Sequence, residues 1–250
     1  MVSIEYRILF LALSFTIFAT ASCAPTTFSQ KFSETSAHEY FAKGVSLAQN
    51  RNFQEASFAF DKSIQLNPTF LPSYFLAAST QYSLNHYGSC AKYARDAIAI
   101  DSDYADAYDI GSECLYQHAK YSEAIPLLEH LITLKPGTAK KDFYQSPVDA
   151  YFRLGMCYLF LKNFDKSVIY FKKFLALAKN DNNFKDFVQF AEKAVGTFEK
   201  ELKASSISVK EKNKHHINNV QRTSNNQSSS KVDAILVEAN KIHDKTRVVY

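Results

Sequence analysis

The chain has 250 residues, of which 46% are hydrophobic and 22% charged, a balance that excludes a polytopic membrane protein, a wholly disordered chain and a collagen-like fibre. Six Gly and six Pro argue against a turn-dense β architecture, and four Cys are too few for a disulfide scaffold of this length. The net charge of +4 belongs to the end of the chain: from Lys203 onward nine Lys and Arg face four Asp and Glu, and the body before it is close to neutral.

Residues 8–21 (ILFLALSFTIFATA) are an uninterrupted run of apolar and small side chains behind Arg7. A helix of that length spans about 21 Å, short of the ~30 Å hydrocarbon core, so residues 1–22 read as a signal peptide and not as an anchor. Two cleavage sites compete. Ala19-Thr20-Ala21 suits an ordinary signal peptidase, which would leave a soluble periplasmic or secreted chain. Thr20-Ala21-Ser22-Cys23 resembles a bacterial lipobox, with Thr20 in the usual place of Leu. That resemblance implies lipid attachment at Cys23 and, with Ala24 following, an outer-membrane lipoprotein facing the periplasm. Residues 23–36 then read as a spacer.

From residue 37 a pattern recurs every 34 residues. Small residues stand at Gly44, Ala78, Ser112 and Gly155, and again at Ala56, Cys90, Ala124 and Ser167. Aromatic residues stand at Phe53, Tyr87, Tyr121 and Phe164, and Pro68 and Pro136 close two of the units. The units are 37–70, 71–104, 105–138 and 148–181, with an insertion at 139–147. Each contains two stretches with apolar residues at helical spacing, and small residues at fixed places let the two helices cross closely. No pair buries its apolar face alone, so stacking must supply the core.

This pattern resembles the tetratricopeptide repeat (TPR), whose unit is 34 residues in two antiparallel helices. The resemblance implies an all-α fold: an α-solenoid of four helix pairs over residues 37–180, wound into a right-handed superhelix. Residues 184–203 continue as one amphipathic helix, with Phe187, Ala191, Ala194, Val195, Phe198 and Leu202 on one stripe, and read as a C-terminal cap or as the start of a fifth, degenerate unit. Residues 205–250 read as a disordered basic tail, since Ser and Asn dominate much of it, and its last stretch, 232–250, with Ile235-Leu236-Val237, reads as a frayed end or as a short helix that docks.

No pattern of catalysis is present. The seven His form no metal-binding pair at helical spacing, and no phosphate-cradling or nucleophile-elbow motif occurs, so neither enzyme activity, metal nor cofactor is expected. Cys90, Cys114 and Cys157 fall in packed helices, where Cys acts as a small hydrophobe, and are expected to remain thiols protected by burial. The tail's positive charges are scattered, with no dense run, and no nucleic-acid partner is expected.

The TPR resemblance places the first helix of each unit on a concave face. The outward residues there are Phe41, Val45, Phe75 and Tyr82, then the carboxylates Asp106, Asp109 and Glu113 with Tyr116, then Phe152, Met156 and Phe160. Such a stripe fits a protein or peptide partner with apolar anchors and a basic residue between them. The alternative is that part of the stripe is covered by the superhelix itself or by the N-terminal spacer. TPR proteins that clamp chaperone carboxylates use Lys, Asn and Arg where this chain has Phe41, Val45, Phe75 and Ser79, so that activity is not implied. The chain is similar to exported bacterial TPR lipoproteins that act as adaptors in pilus assembly, outer-membrane biogenesis or cell-wall enzyme regulation. The alternative is an accessory subunit of a cell-wall enzyme or secretion system whose basic tail contacts lipid or wall polymer.

Overall fold

The computed structural model describes residues 26–134, 147–212 and 223–246. The described residues form α1 (Thr26–Gln49), α2 (Phe53–Leu66), α3 (Leu71–Ser83), α4 (Tyr87–Ile100), α5 (Ala105–Gln117), α6 (Tyr121–Leu131), α7 (Val148–Phe160) and α8 (Phe164–Ala178). A 3-10 turn (Asn182–Phe184) leads into α9 (Lys185–Lys212), and α10 (Thr223–Thr246) ends the described chain. Each of α1 to α9 packs mainly on its neighbours in sequence, so the four pairs stack as an α-solenoid. Helix α9 lies on α8, burying Phe190, Ala191, Ala194 and Phe198, and so covers the apolar face at that end of the stack.

The pairs are shaped by two recurring devices. The first is the turn inside each unit, where Arg51, Asn85, Ala119 and Lys162 hold left-handed backbone with φ of 60°, 60°, 57° and 57°. The residue after each donates its N–H to a carbonyl five positions back: Asn52 to Leu47 (2.9 Å), His86 to Gln81 (2.9 Å), Lys120 to Leu115 (2.8 Å) and Asn163 to Tyr158 (2.8 Å). This closure satisfies the last carbonyls of the first helix and turns the chain back antiparallel. It is made four times without a glycine.

The second device is the crossing of the two helices. A Cβ added at Gly44 would lie 2.6 Å from the Phe60 ring, and one at Gly155 would lie 2.5 Å from the Phe171 ring. The second and third units place Ala78 with Ala94 and Ser112 with Leu128 at the same repeat positions, all deeply buried. Where one side is large, as at Phe60, Leu128 and Phe171, the other is small, and a close-packed interior requires this. Gly155→Leu is accordingly expected to lower stability by about 1–3 kcal/mol in a denaturant melt. Gly155→Ala should be better tolerated with Phe171→Leu than in the wild-type background, since the pair then approaches that of the third unit. An unchanged melt for Gly155→Leu would place the crossing elsewhere.

The two ends differ from the sequence expectation. Residues 26–36, expected as spacer, belong to α1, and the helix is tied down just beyond them, where the Ser63 hydroxyl donates to the buried Ala37 carbonyl at 2.8 Å. Residues 223–246, expected as disordered tail, form α10 on α7 and α9, and α9 itself runs past residue 203 to Lys212. Ile235, Ala239, Ile242 and His243 of α10 are buried. They recur at i, i+4, i+7 and i+8, one stripe of a helix, which the surrounding polar composition conceals. The signal peptide, Cys23 to Pro25 of the spacer, residues 135–138 of the third unit, all but the last residue of the 139–147 insertion, and residues 213–222 and 247–250 of the tail lie outside the described residues.

Candidate functional site

The expected groove residues separate into three sets along the first helices. On α1 and α3, Phe41, Val45 and Phe75 are only half buried. Phe41 leans on Phe60 and Phe70, with ring centroids 6.0 and 5.1 Å away, and keeps part of its ring toward solvent. Tyr82, at the end of α3, belongs to a different set. Its ring is buried edge-on to Tyr87 at 5.5 Å and its hydroxyl donates to Glu113 Oε1 at 3.2 Å.

The carboxylates do not await a basic residue from outside. Arg153 of α7 reaches back to α5 and pairs with the Asp109 carboxylate, while its Nη1 lies 3.4 Å from Glu113 Oε2. Nη1 also donates to Ser112 Oγ at 3.0 Å and to the Asp109 carbonyl at 3.1 Å. Gln117 Nε2 donates to Glu113 Oε1 at 2.8 Å. Asp106 is fully buried. The acidic patch expected on an open surface is therefore a buried polar network between the third and fourth units, and Arg153 supplies its positive charge. Sequence reasoning passed over Arg153, although its place two residues before Gly155 puts it on the helix that stacks against α5.

At the far end, Phe152 and Met156 are core. Phe152 sits among Phe174 (5.0 Å), Phe187 (4.9 Å), Phe171 (5.7 Å) and Phe190 (6.3 Å), which joins α7, α8 and α9. Met156 has no exposed surface. Tyr116 and Phe160 instead meet α10, which covers them. The His243 ring lies 4.7 Å from Tyr116 and 5.8 Å from Phe160, and its Nε2 is 3.2 Å from the Tyr116 carbonyl. Burial holds the Tyr116 phenol well above its ordinary pKa, so it stays neutral. An ion pair between Lys193 of α9 and Glu238 of α10 closes the outer side.

The cysteines also correct the expectation. Cys90 and Cys114 form a disulfide between α4 and α5, with Cα atoms 6.0 Å apart, within the normal range for that bond. Cys157 is a free, fully buried thiol whose pKa burial pushes up, which keeps it unreactive. Among the described residues, no group of three or more His, Cys, Asp or Glu is placed to hold a metal ion. No helix among them is long and apolar enough to cross a membrane.

Two family models match the sequence: "Anaphase-promoting complex, cyclosome, subunit 3" over residues 49–131 and "Tetratricopeptide repeat" over residues 148–181. No curated protein matches it significantly. Several solved structures share the fold at low identity. MamA is 18% identical with a TM-score of 0.55, over 74% of this chain and 98% of MamA. PilF of Pseudomonas aeruginosa is 16% identical with a TM-score of 0.53, over 84% of this chain and 93% of PilF. YrrB, described as a TPR protein with an unusual peptide-binding site, is 16% identical with a TM-score of 0.50, over 78% of this chain and 84% of YrrB.

Proposed function

We propose a scaffold function in the bacterial cell envelope for this chain, which belongs to the tetratricopeptide-repeat family of protein-interaction modules. In this reading it is a non-catalytic adaptor that holds a peptide or helix of a partner protein on its concave face. One observation carries the binding claim: that face, at Tyr116 and Phe160, already holds an amphipathic helix, supplied by the chain itself. Half-buried Phe41, Val45 and Phe75 extend the apolar surface along the first two units. The peptide-binding site named for YrrB is consistent with such a use of the fold. A photo-crosslinker placed at Phe75 should capture a partner in envelope preparations, and one at the exposed Phe58 on α2 should not. Equal capture at both positions would move the binding surface off the concave face.

The compartment is supported by the apolar leader, by Cys23 and by the Cys90–Cys114 bond, since disulfides persist chiefly outside the reducing cytosol. With Cys23 lipidated, palmitate should label the chain, and Cys23→Ala should abolish the label and release the protein from membranes. Wild-type protein without label would leave the ordinary signal-peptidase route. Without reductant, iodoacetamide should modify no core thiol in the native protein and Cys157 alone after unfolding. Alkylation of Cys90 and Cys114 as well would place the chain in a reducing compartment.

A further inference from the structure

Within α10 the described side chains, 230–244, dock through one narrow stripe. Ile235, Ala239, Ile242 and His243 are buried, Val232 and Leu236 are partly buried against the same cluster, and Val237 is 56% exposed. The first eight residues of α10 read TSNNQSSS, types that favour caps and turns over helix interiors. An isolated helix of such composition is marginal in water, so α10 draws its order from the surface it lies on.

That surface is specific. Tyr121 and Phe160 stack at 4.6 Å with an interplanar angle of 16°, and Tyr116 completes an aromatic wall for His243. The wall presents the Tyr116 carbonyl to His243 Nε2, and Lys193 stands opposite Glu238. Counted from Ile235, the site takes apolar residues at i, i+4 and i+7, an acid at i+3 and a side-chain N–H donor at i+8.

We propose that α10 is an exchangeable occupant of the groove: a partner helix with this same pattern takes its place, so partner binding and α10 docking exclude one another. The proposal rests on the scaffold reading given above and adds how that site is regulated. Because α10 is tethered, it competes at a high effective concentration, and the full chain binds its partner more weakly than the bare groove would.

The test uses the full chain and a fluorescent peptide of residues 228–247, read by anisotropy. Ile235→Asp with Ala239→Asp should undock α10 and raise peptide affinity at least ten-fold over the wild-type chain. Phe160→Ala added to that variant should reverse the gain, and peptide bearing Ile242→Asp should not bind. A designed Ala/Glu/Lys helix carrying Ile, Glu, Ala, Ile and His at the five places should compete with the native peptide. Should the double variant melt abnormally, Glu238→Lys, which sets two cations against each other, should give a smaller gain in the same direction. Equal affinity for wild type and variants would overturn the proposal. So would a wild-type dimer in which α10 sits on the other copy. A partner captured at Phe75 equally by wild type and double variant would overturn exchange and leave the scaffold function. Peptide bound only by the variant, with no partner captured, would support exchange and count against the scaffold function.

Discussion

Replacing Arg153 by methionine is expected to destabilise the fold by about 3–5 kcal/mol, the usual cost of removing one partner from a buried charge network. The Arg153 side chain is 8% exposed and that of Glu113 7%, so water cannot take over the contact with Glu113, whereas Asp109, 24% exposed, is partly solvated. Methionine fills much of the volume but leaves Glu113 and Asp109 facing each other without a cation, and Ser112 Oγ without its donor. The loss should therefore arise from stranded charge and not from a cavity. Arg153→Met combined with Asp109→Asn and Glu113→Gln separates the two causes, because it removes the charges and keeps the shapes. That triple variant should recover most of the stability in a urea melt. A loss below about 1 kcal/mol for Arg153→Met alone would mean that the carboxylates face solvent, as an open groove for a basic residue requires.

The repeat was legible because helix crossings constrain volume: Gly44, Ala78, Ser112 and Gly155 recur wherever the second helix passes. The turns were less so. Left-handed backbone at Arg51, Asn85, Ala119 and Lys162 carries no glycine to announce it, and only the period locates it. The groove was half legible. Facing inward on a first helix does not say whether the next unit will cover a residue, which is why Tyr82, Glu113 and Phe152 were read with Phe41 and Phe75. Pairing of Asp109 and Glu113 depended on a cation 40 and more residues away, and no local window contains that network. The Cys90–Cys114 bond was not legible, because burial in packed helices does not say which helices meet, and this bond joins a second helix to the first helix of the next unit. Helix α10 was legible only as a short possible helix around Ile235-Leu236-Val237, because four stripe residues are outvoted by their polar neighbours in any average of composition.

Phe152→Ala is expected to cost about 3–5 kcal/mol, the range for truncating a core phenylalanine. On an open concave face it would cost less than about 1 kcal/mol, so a single melt decides between the two. Phe152 is 6% exposed and its ring meets four others, two on α8 and two on α9. Removing it leaves a hole where three helices join, lined by rings that met it edge-on or tilted. Because α9 seals that end of the array, the defect should also loosen α9 and, through Lys193 and Glu238, the docking of α10. Faster amide exchange in both helices should then accompany the lower melting point. Phe75→Ala provides the contrast: half buried on α3, it should lose less stability while weakening capture of the partner. If Phe152→Ala instead melts like wild type and loses the partner, the ring belongs to the binding surface and α9 does not cover it in solution.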